Sequence, residues 1–208
     1  MFKRTWQKWL RRAENVDGLA GELDFLRSEV ARLQERVREL ESLAGEDPLV
    51  GLPNRRSFLE SLERLIARVA RYNEEAAIIF IDVDGLKHIN DSCGHVAGDA
   101  ALVLISQLIS ESVRKSDLVG RLGGDEFGVL LERTDELGGW QMALRIVERV
   151  TPATLVRDGK SLKLSVAVGV GSIKPEDDAT AVLSRADEQM YRVKRSSRKA
   201  VHGVRPAS

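Results

Sequence analysis

The sequence predicts an α/β domain of the α+β kind, a mainly antiparallel central sheet flanked by helices, preceded by a long coiled-coil helix. Three observations carry this expectation. Residues 16–44 hold a heptad repeat that stops at Gly45 and Pro48. Residues 76–83, AAIIFIDV, are an unbroken apolar run ending in aspartate, the mark of a strand buried on both faces. Strand-like runs are joined by turn residues at Gly123-Gly124 and at Asp158-Gly159, which reads as antiparallel hairpins.

The 208 residues leave room for one ordinary domain and an extension. Lys+Arg and Asp+Glu are both 32, and a chain without net charge is not built for bulk electrostatic binding to nucleic acid. Cys93, in a polar loop stretch, is the single cysteine, so no intrachain disulfide forms and a reducing cytoplasm is expected. No apolar run has the length of a membrane span, and the N-terminus lacks the apolar core of a signal peptide.

Residues 1–15 are basic and amphipathic, with Phe2, Trp6, Trp9 and Leu10 at helical spacing. Residues 1–12 suit a membrane surface or a docking partner, but their shortness favours the start of the helix that follows. Residues 16–44 place Val16, Leu23, Val30, Val37 and Ala44 at a, and Leu19, Leu26, Leu33 and Leu40 at d. Leucine at every d with mostly valine at a favours a parallel homodimer. In that register Glu22 faces Arg27 of the partner strand, and Arg36 faces Glu41. Residues 45–53 then read as a hinge and lead-in, because glycine and proline end helices.

The domain proper is expected over 54–202, with a tail at 203–208 that carries no structure. Asn54 caps a helix running to about Ala70, with Phe58, Leu62, Leu65 and Ile66 on one face. The strand 76–83 delivers Asp82 and Asp84 to a sheet edge, where ligands of such folds bind. A polar stretch to Asp99 leads into a helix over Ala97–Val113. Next come the Gly123-Gly124 hairpin, a helix from Leu137 to Val150, a second hairpin made by Leu155-Val156 and the run Leu162–Ile173, and a last helix over Thr180–Val193.

The stretch Gly123-Gly124-Asp125-Glu126-Phe127 stands at the centre of this organisation. Glycine takes positive φ cheaply at both turn positions, which would leave Asp125 and Glu126 at a hairpin tip. A phosphate could approach the glycine backbone, and adjacent carboxylates suit Mg²⁺, which prefers oxygen ligands. Alone, such a string is a solvated turn. Here it has company. Asp47–Arg56, DPLVGLPNRR, is similar to the DPLTGLPNRR segment of the GGDEF family of diguanylate cyclases, with Val50 for threonine. Asp82–Asp99 resembles that family's DxDxFKxxNDxxGHxxGD, with Leu86 for phenylalanine, and Ala186–Lys194 resembles its ADxALYxAK. The resemblance covers roughly residues 47–202, with the five-residue signature unaltered.

The resemblance implies a palm-like nucleotidyl-cyclase fold and the condensation of two GTP into cyclic di-GMP and two pyrophosphates across a homodimer. It implies Asp125 and Glu126 as catalytic residues. Two Mg²⁺ per site, with Mn²⁺ able to serve, would be held by Asp82, the Val83 carbonyl, Asp125 and Glu126. Asn90 and Asp99 would bond the guanine, Lys87 would meet phosphate, and Gly123 and Gly124 would line the nucleotide site. His95 orders the loop or contacts substrate. Lys194 and Arg198 match phosphate-binding positions, although Ser197 and Lys199 replace the family's usual neighbours of that arginine. Arg114, Asp117 and Arg149 would bind the product as an inhibitor. The competing expectation is a catalytically silent cyclic di-GMP receptor using the same Arg114–Asp117 set. The presence of Asp82, Asp125 and Glu126 together argues for the enzyme.

Overall fold

The computed structural model describes residues 22–23, 25–37, 45–157 and 159–202, in two compact units divided between Ala44 and Gly45. Residues 1–15, most of the heptad ends, Asp158 at the second expected turn and the tail 203–208 lie outside the described residues. In the first unit residues 25–37 (α1) are helical. Leu23, Leu26, Val30, Leu33 and Val37 all lie about half exposed on that unit, at 51–54%.

The second unit runs α2 (Arg55–Tyr72), β1 (Ala76–Val83), α3 (Leu86–Cys93), α4 (His95–Ser112), β2 (Leu118–Arg121), β3 (Glu126–Glu132), α5 (Glu136–Val150), β4 (Thr154–Arg157), β5 (Lys160–Lys163), β6 (Val166–Ser172) and α6 (Ala179–His202). Four strands form one sheet in the order β2-β3-β1-β6, with every pairing antiparallel. β4 and β5 form a separate ribbon. The expected second hairpin forms between β4 and β5, but its second arm is shorter than expected. Its long run Leu162–Ile173 breaks at Leu164-Ser165 into two strands of different sheets. Val166 to Ser172 joins the core sheet because Ala167, Val168 and Val170 can be covered on both faces, whereas β4 alternates exposed and half-buried residues. The polar stretch after β1 is likewise a helix rather than a loop: Gly85 and Gly94 both take positive φ and punctuate α3 at its two ends.

β1 is central and covered on both sides. Ala77, Ile79, Ile81 and Val83 point into a core with α4 and α5, including Ile105, Ile109, Ala143 and Ile146. Ala76, Ile78 and Phe80 point into a second core with α2 and α6, including Phe58, Leu62, Val182 and Met190. The unbroken apolar run of β1 is the direct consequence. α2 begins where expected, with the Asn54 side chain accepting from Ser57 N at 3.1 Å.

Two close approaches set how the helices lie on this sheet. Gly120 and Gly128 are cross-strand partners, and a Cβ on either would fall within 2.7 Å of the Phe58 ring. The fully buried ring fills the space the glycines leave. On β6, a Cβ at Gly169 would lie 2.1 Å from the Ala186 carbonyl oxygen, so α6 rests on bare backbone there. The start of α6 is pinned by Arg185, which donates to both carboxylate oxygens of Asp177 at 2.7 and 2.8 Å. Asp177 also accepts from Lys174 N at 2.8 Å and is 6% exposed.

The hydrogen bond from Arg185, with lesser help from the Lys174 amide, holds the Asp177 carboxyl below its ordinary range against the opposing effect of burial. A carboxyl whose folded pKa is depressed stabilises the fold above its unfolded pKa of about 3.9, and that contribution is lost as pH falls through the folded value. Asp177→Asn should therefore lower stability by about 1–3 kcal/mol at neutral pH. The deficit against wild type should shrink below pH ~4. Urea unfolding at several pH values checks this; a pH-independent difference would remove the ion pair as its cause.

Candidate active site

The C-terminal end of β1 and the N-terminal end of β3 meet in register, so Asp82 and Glu126 are direct cross-strand partners. Asp82 continues the even-numbered face of β1, which looks toward α2 and α6. Lys194 of α6 reaches it there: its Nζ lies 2.5 Å from Asp82 Oδ1 and 3.7 Å from Asp84 Oδ1. Asp84 is held by Ser165, whose Oγ donates to Asp84 Oδ2 at 3.1 Å and whose carbonyl accepts from Asp84 N at 3.0 Å. Lys194, expected at phosphate, thus stands beside the expected metal-binding carboxylate. Arg198 falls in the last turns of α6, where its side chain lies outside the described residues.

The signature spans the β2–β3 connection, and Asp125 adjoins the pair through its backbone: Val83 N donates to the Asp125 carbonyl at 2.9 Å. The role expected of the glycines is corrected. Neither Gly123 nor Gly124 has positive φ. A Cβ at Gly123 would lie 2.5 Å from Glu126 Oε2 and would make that carboxylate shift, while Gly124 has nothing within 4 Å. Glu126 is the first residue of β3 rather than part of a tip, and Phe127 is fully buried in the core on the α4–α5 side. Burial first, and then the Asp125, Asp82 and Asp187 carboxylates, raise the Glu126 carboxyl above its ordinary range, with Arg55 opposing.

Asn90 of α3 and Gly98-Asp99 of α4 are brought together by the turn at Gly94. A Cβ at Gly98 would sit 1.9 Å from Asn90 Oδ1, so the asparagine amide lies on the glycine, next to exposed Asp99. Lys87 and His95 are exposed at the starts of α3 and α4. The Asp117 carboxylate accepts from Arg114 N at 2.9 Å and closes a turn after α4. Arg149 pairs with Glu111, and Arg145 donates to the Ser112 carbonyl, so both arginines tie α5 to the end of α4 beside that turn. Asp117 and Lys115 line a cavity of about 390 Å³ together with Glu132 and with Arg64 and Arg68 of α2, a meeting that no sequence pattern marks.

Two further arginines meet the signature loop. Arg55 Nη1 donates to the Leu122 carbonyl at 3.2 Å. Arg121 donates to the carbonyls of Gly123 and Gly124 at 3.1 and 2.7 Å. Arg55 lies within the Asp47–Arg56 segment, and Arg121 stands two residues before the signature.

Among the described residues no three His, Cys, Asp or Glu side chains converge as a preformed metal cage. Asp82 instead faces the Lys194 ammonium. The donor set nonetheless fits a hard divalent cation: every available donor is an oxygen, and the crowded carboxylates that raise Glu126 are charges such a cation would offset.

The chain is similar to known proteins in sequence and in fold. A family profile described as "Diguanylate cyclase, GGDEF domain" matches residues 44–200. The diguanylate cyclase TpbB of Pseudomonas aeruginosa is 41% identical over 182 residues, which is 85% of this chain but 41% of that protein. The chain therefore spans less than half the length of that relative. The crystal structure of diguanylate cyclase SiaD from Pseudomonas aeruginosa, in complex with its activator SiaC, has a TM-score of 0.71 at 30% identity, covering 93% of this chain and 76% of that one. The coiled coil and GGDEF domain of DgcB from Caulobacter crescentus, in complex with c-di-GMP, also gives 0.71, at 26% identity over 86% of this chain and 95% of that one. With the signature intact and its carboxylates gathered at one sheet edge, the chain belongs to the GGDEF-domain family of diguanylate cyclases.

Proposed function

We propose that this chain condenses two GTP into cyclic di-GMP and two pyrophosphates, working as a homodimer in the cytoplasm, where GTP is found. The observation that carries the reading is the meeting of Asp82 and Glu126 in register, with Asp125 alongside and Lys194 against them. Each 3′-hydroxyl attacks the α-phosphate of the other GTP. Asp125 lies beside that hydroxyl as the proton acceptor. Two Mg²⁺ per site would be held by Asp82, the Val83 carbonyl, Asp125 and Glu126, and would supply charge neutralisation at the triphosphate and a lower hydroxyl pKa than a carboxylate alone gives. Lys194 stays close enough to Asp82 to shift onto phosphate when GTP arrives, with Lys87 on the same edge. A side chain at Gly123 would require the Glu126 carboxylate to move from its present place.

Asn90 and Asp99 read the guanine. The amide supplies a donor and an acceptor, and the carboxylate accepts from N1–H and the amino group. Adenine would leave those groups unpaired. One domain holds one GTP, so two domains must face each other. The half-exposed stripe Leu23, Leu26, Val30, Leu33 and Val37 supports a parallel coiled coil that raises the effective concentration of the two domains. Product inhibition is read at Arg114, Asp117 and Arg149; Asp117 also borders a cavity of mixed charge, lined by Arg64, Lys115, Glu132 and an Arg68 that pairs with Glu132.

Incubation of the full chain with GTP and Mg²⁺, with nucleotides separated by chromatography, tests the reading directly. Asp125→Ala keeps the backbone carbonyl that Val83 N uses, so it should leave the circular dichroism unchanged and reduce synthesis to background. Retained synthesis would overturn the assignment of the signature carboxylates.

Asn90→Ala and Asp99→Ala should each weaken GTP binding by about 1–3 kcal/mol and relax discrimination against ATP. Gly98→Ala should do the same from outside the pocket, because its methyl group displaces the Asn90 amide. Competition binding with GTP and ATP analogues checks all three.

Leu33→Glu places two carboxylates against each other in the expected seam, where unpaired charge is costly. The variant should be monomeric by light scattering, bind a GTP analogue normally, and regain activity steeply with protein concentration. Wild-type specific activity from a monomer would separate the heptads from catalysis.

A further inference from the structure

The backbone carbonyls of the signature loop face arginines. Leu122 O accepts from Arg55 at 3.2 Å, Gly123 O from Arg121 Nε at 3.1 Å, and Gly124 O from Arg121 Nη2 at 2.7 Å. Three successive carbonyls are thus held by two guanidiniums. The remaining nitrogen of Arg121, Nη1, donates to both carboxylate oxygens of Asp47, each at 3.1 Å.

Asp47 belongs to the turn by which the chain enters the domain, and that turn is closed. Its carboxylate accepts from Leu49 N and Val50 N at 3.0 and 3.1 Å. Its amide donates to Leu52 O at 2.7 Å, and its carbonyl accepts from Gly51 N at 2.9 Å. Asn54 N closes on Gly45 O at 3.0 Å, and Arg121 N donates to Pro53 O at 2.9 Å. Arg121 and Asp47 are only 14% and 19% exposed. A pair so sheltered is screened less than a surface ion pair, and it holds its geometry.

We propose that Arg121 is a positioning residue: it carries the placement of the turn 45–53, through Asp47, to the carbonyls of Gly123 and Gly124, and so sets where Asp125 and Glu126 stand. The proposal rests on the reading of those two carboxylates as the reacting pair. The opposite side of the loop is fixed by Val83 N on the Asp125 carbonyl. The loop is therefore held between β1 and Arg121. Movement of the entering chain is not absorbed in the turn, because the turn's own hydrogen bonds keep it in one piece. It passes to the loop instead. Arginine suits the task for a geometric reason. Its planar fork points donors at two carbonyls and a carboxylate at once, whereas a lysine ammonium is a single point. A signal arriving from the N-terminal side would then change catalysis without contact with GTP.

Three variants of the full chain test this. Asp47→Asn removes the charge but keeps an oxygen for the Leu49 and Val50 amides. Arg121→Lys keeps the charge but loses the fork. Arg121→Ala loses both. The lysine and alanine variants should lower kcat roughly 10- to 100-fold, since small misplacement of reacting groups has effects of that size. KM for GTP should change less than kcat in all three, because the guanine contacts of Asn90 and Asp99 lie on other elements. Amide hydrogen exchange at 122–126 should quicken in Arg121→Lys, while β1 and α4 keep their protection. A merely structural role would instead lower protection throughout, and lysine would rescue alanine. Unchanged exchange at 122–126 in both arginine variants overturns the proposal whether or not the protein proves active. A wild-type chain that makes no cyclic di-GMP would overturn the reading of the site, and the exchange measurement would still decide the lever.

Discussion

A carboxylate at the end of a strand buried on both faces has to be answered by a positive charge, and this requirement organises the domain. β1 is covered by α4 and α5 on one side and by α2 and α6 on the other. Asp82 emerges from between these layers, and desolvation there would penalise it unless it were paired. Lys194 supplies the pairing. For Lys194 to arrive, α6 must lie flat on β6, which the bare backbone at Gly169 permits. The bidentate contact between Arg185 and Asp177 anchors the start of the same helix. A site carboxylate, a helix and a strand glycine are thus parts of one solution.

The same economy of space governs the signature. Its glycines are not there for left-handed turn geometry. Gly123 clears room for the Glu126 carboxylate, and Gly128, paired with Gly120 on β2, clears room for the Phe58 ring on the α2 side. Phe127 fills the core on the opposite face. Within six residues the chain alternates between packing and chemistry. Register ties them together: β3 cannot slip against β1 without moving both Phe127 out of the core and Glu126 away from Asp82.

Charge at the site is poised rather than balanced by the protein alone. Glu126 is raised by burial and by neighbouring carboxylates, Arg55 offsets part of that, and Lys194 attends to Asp82. Such an arrangement suits a site that gains positive charge with its substrate. The loop bearing these groups is fixed from behind by Arg55 and Arg121, which donate to its backbone carbonyls, while Arg121 also holds Asp47. Rigid backbone and crowded side chains together are what preorganised electrostatic catalysis requires.

Much of this was legible in the sequence. The unbroken apolar run marked β1 as buried on both faces, Asn54 marked the start of α2, and the intact signature with its companion motifs marked the family. Period and local chemistry are written in neighbouring residues, so they can be read there. Other features were not legible. The run Leu162–Ile173 looked continuous, yet it divides at Leu164-Ser165 between two sheets, because only tertiary cover on both faces distinguishes β6 from β5. Gly120 and Gly128 carry no pattern of their own, because the Phe58 ring that needs their missing side chains comes from α2, which only the fold brings near. Asp47 and Arg121 stand 74 residues apart, and no periodicity links them. The sequence by itself determined which residues could form each element and which chemistry they could offer. The tertiary structure decided which of them meet, because contact between distant residues depends on register and close packing that no local pattern encodes.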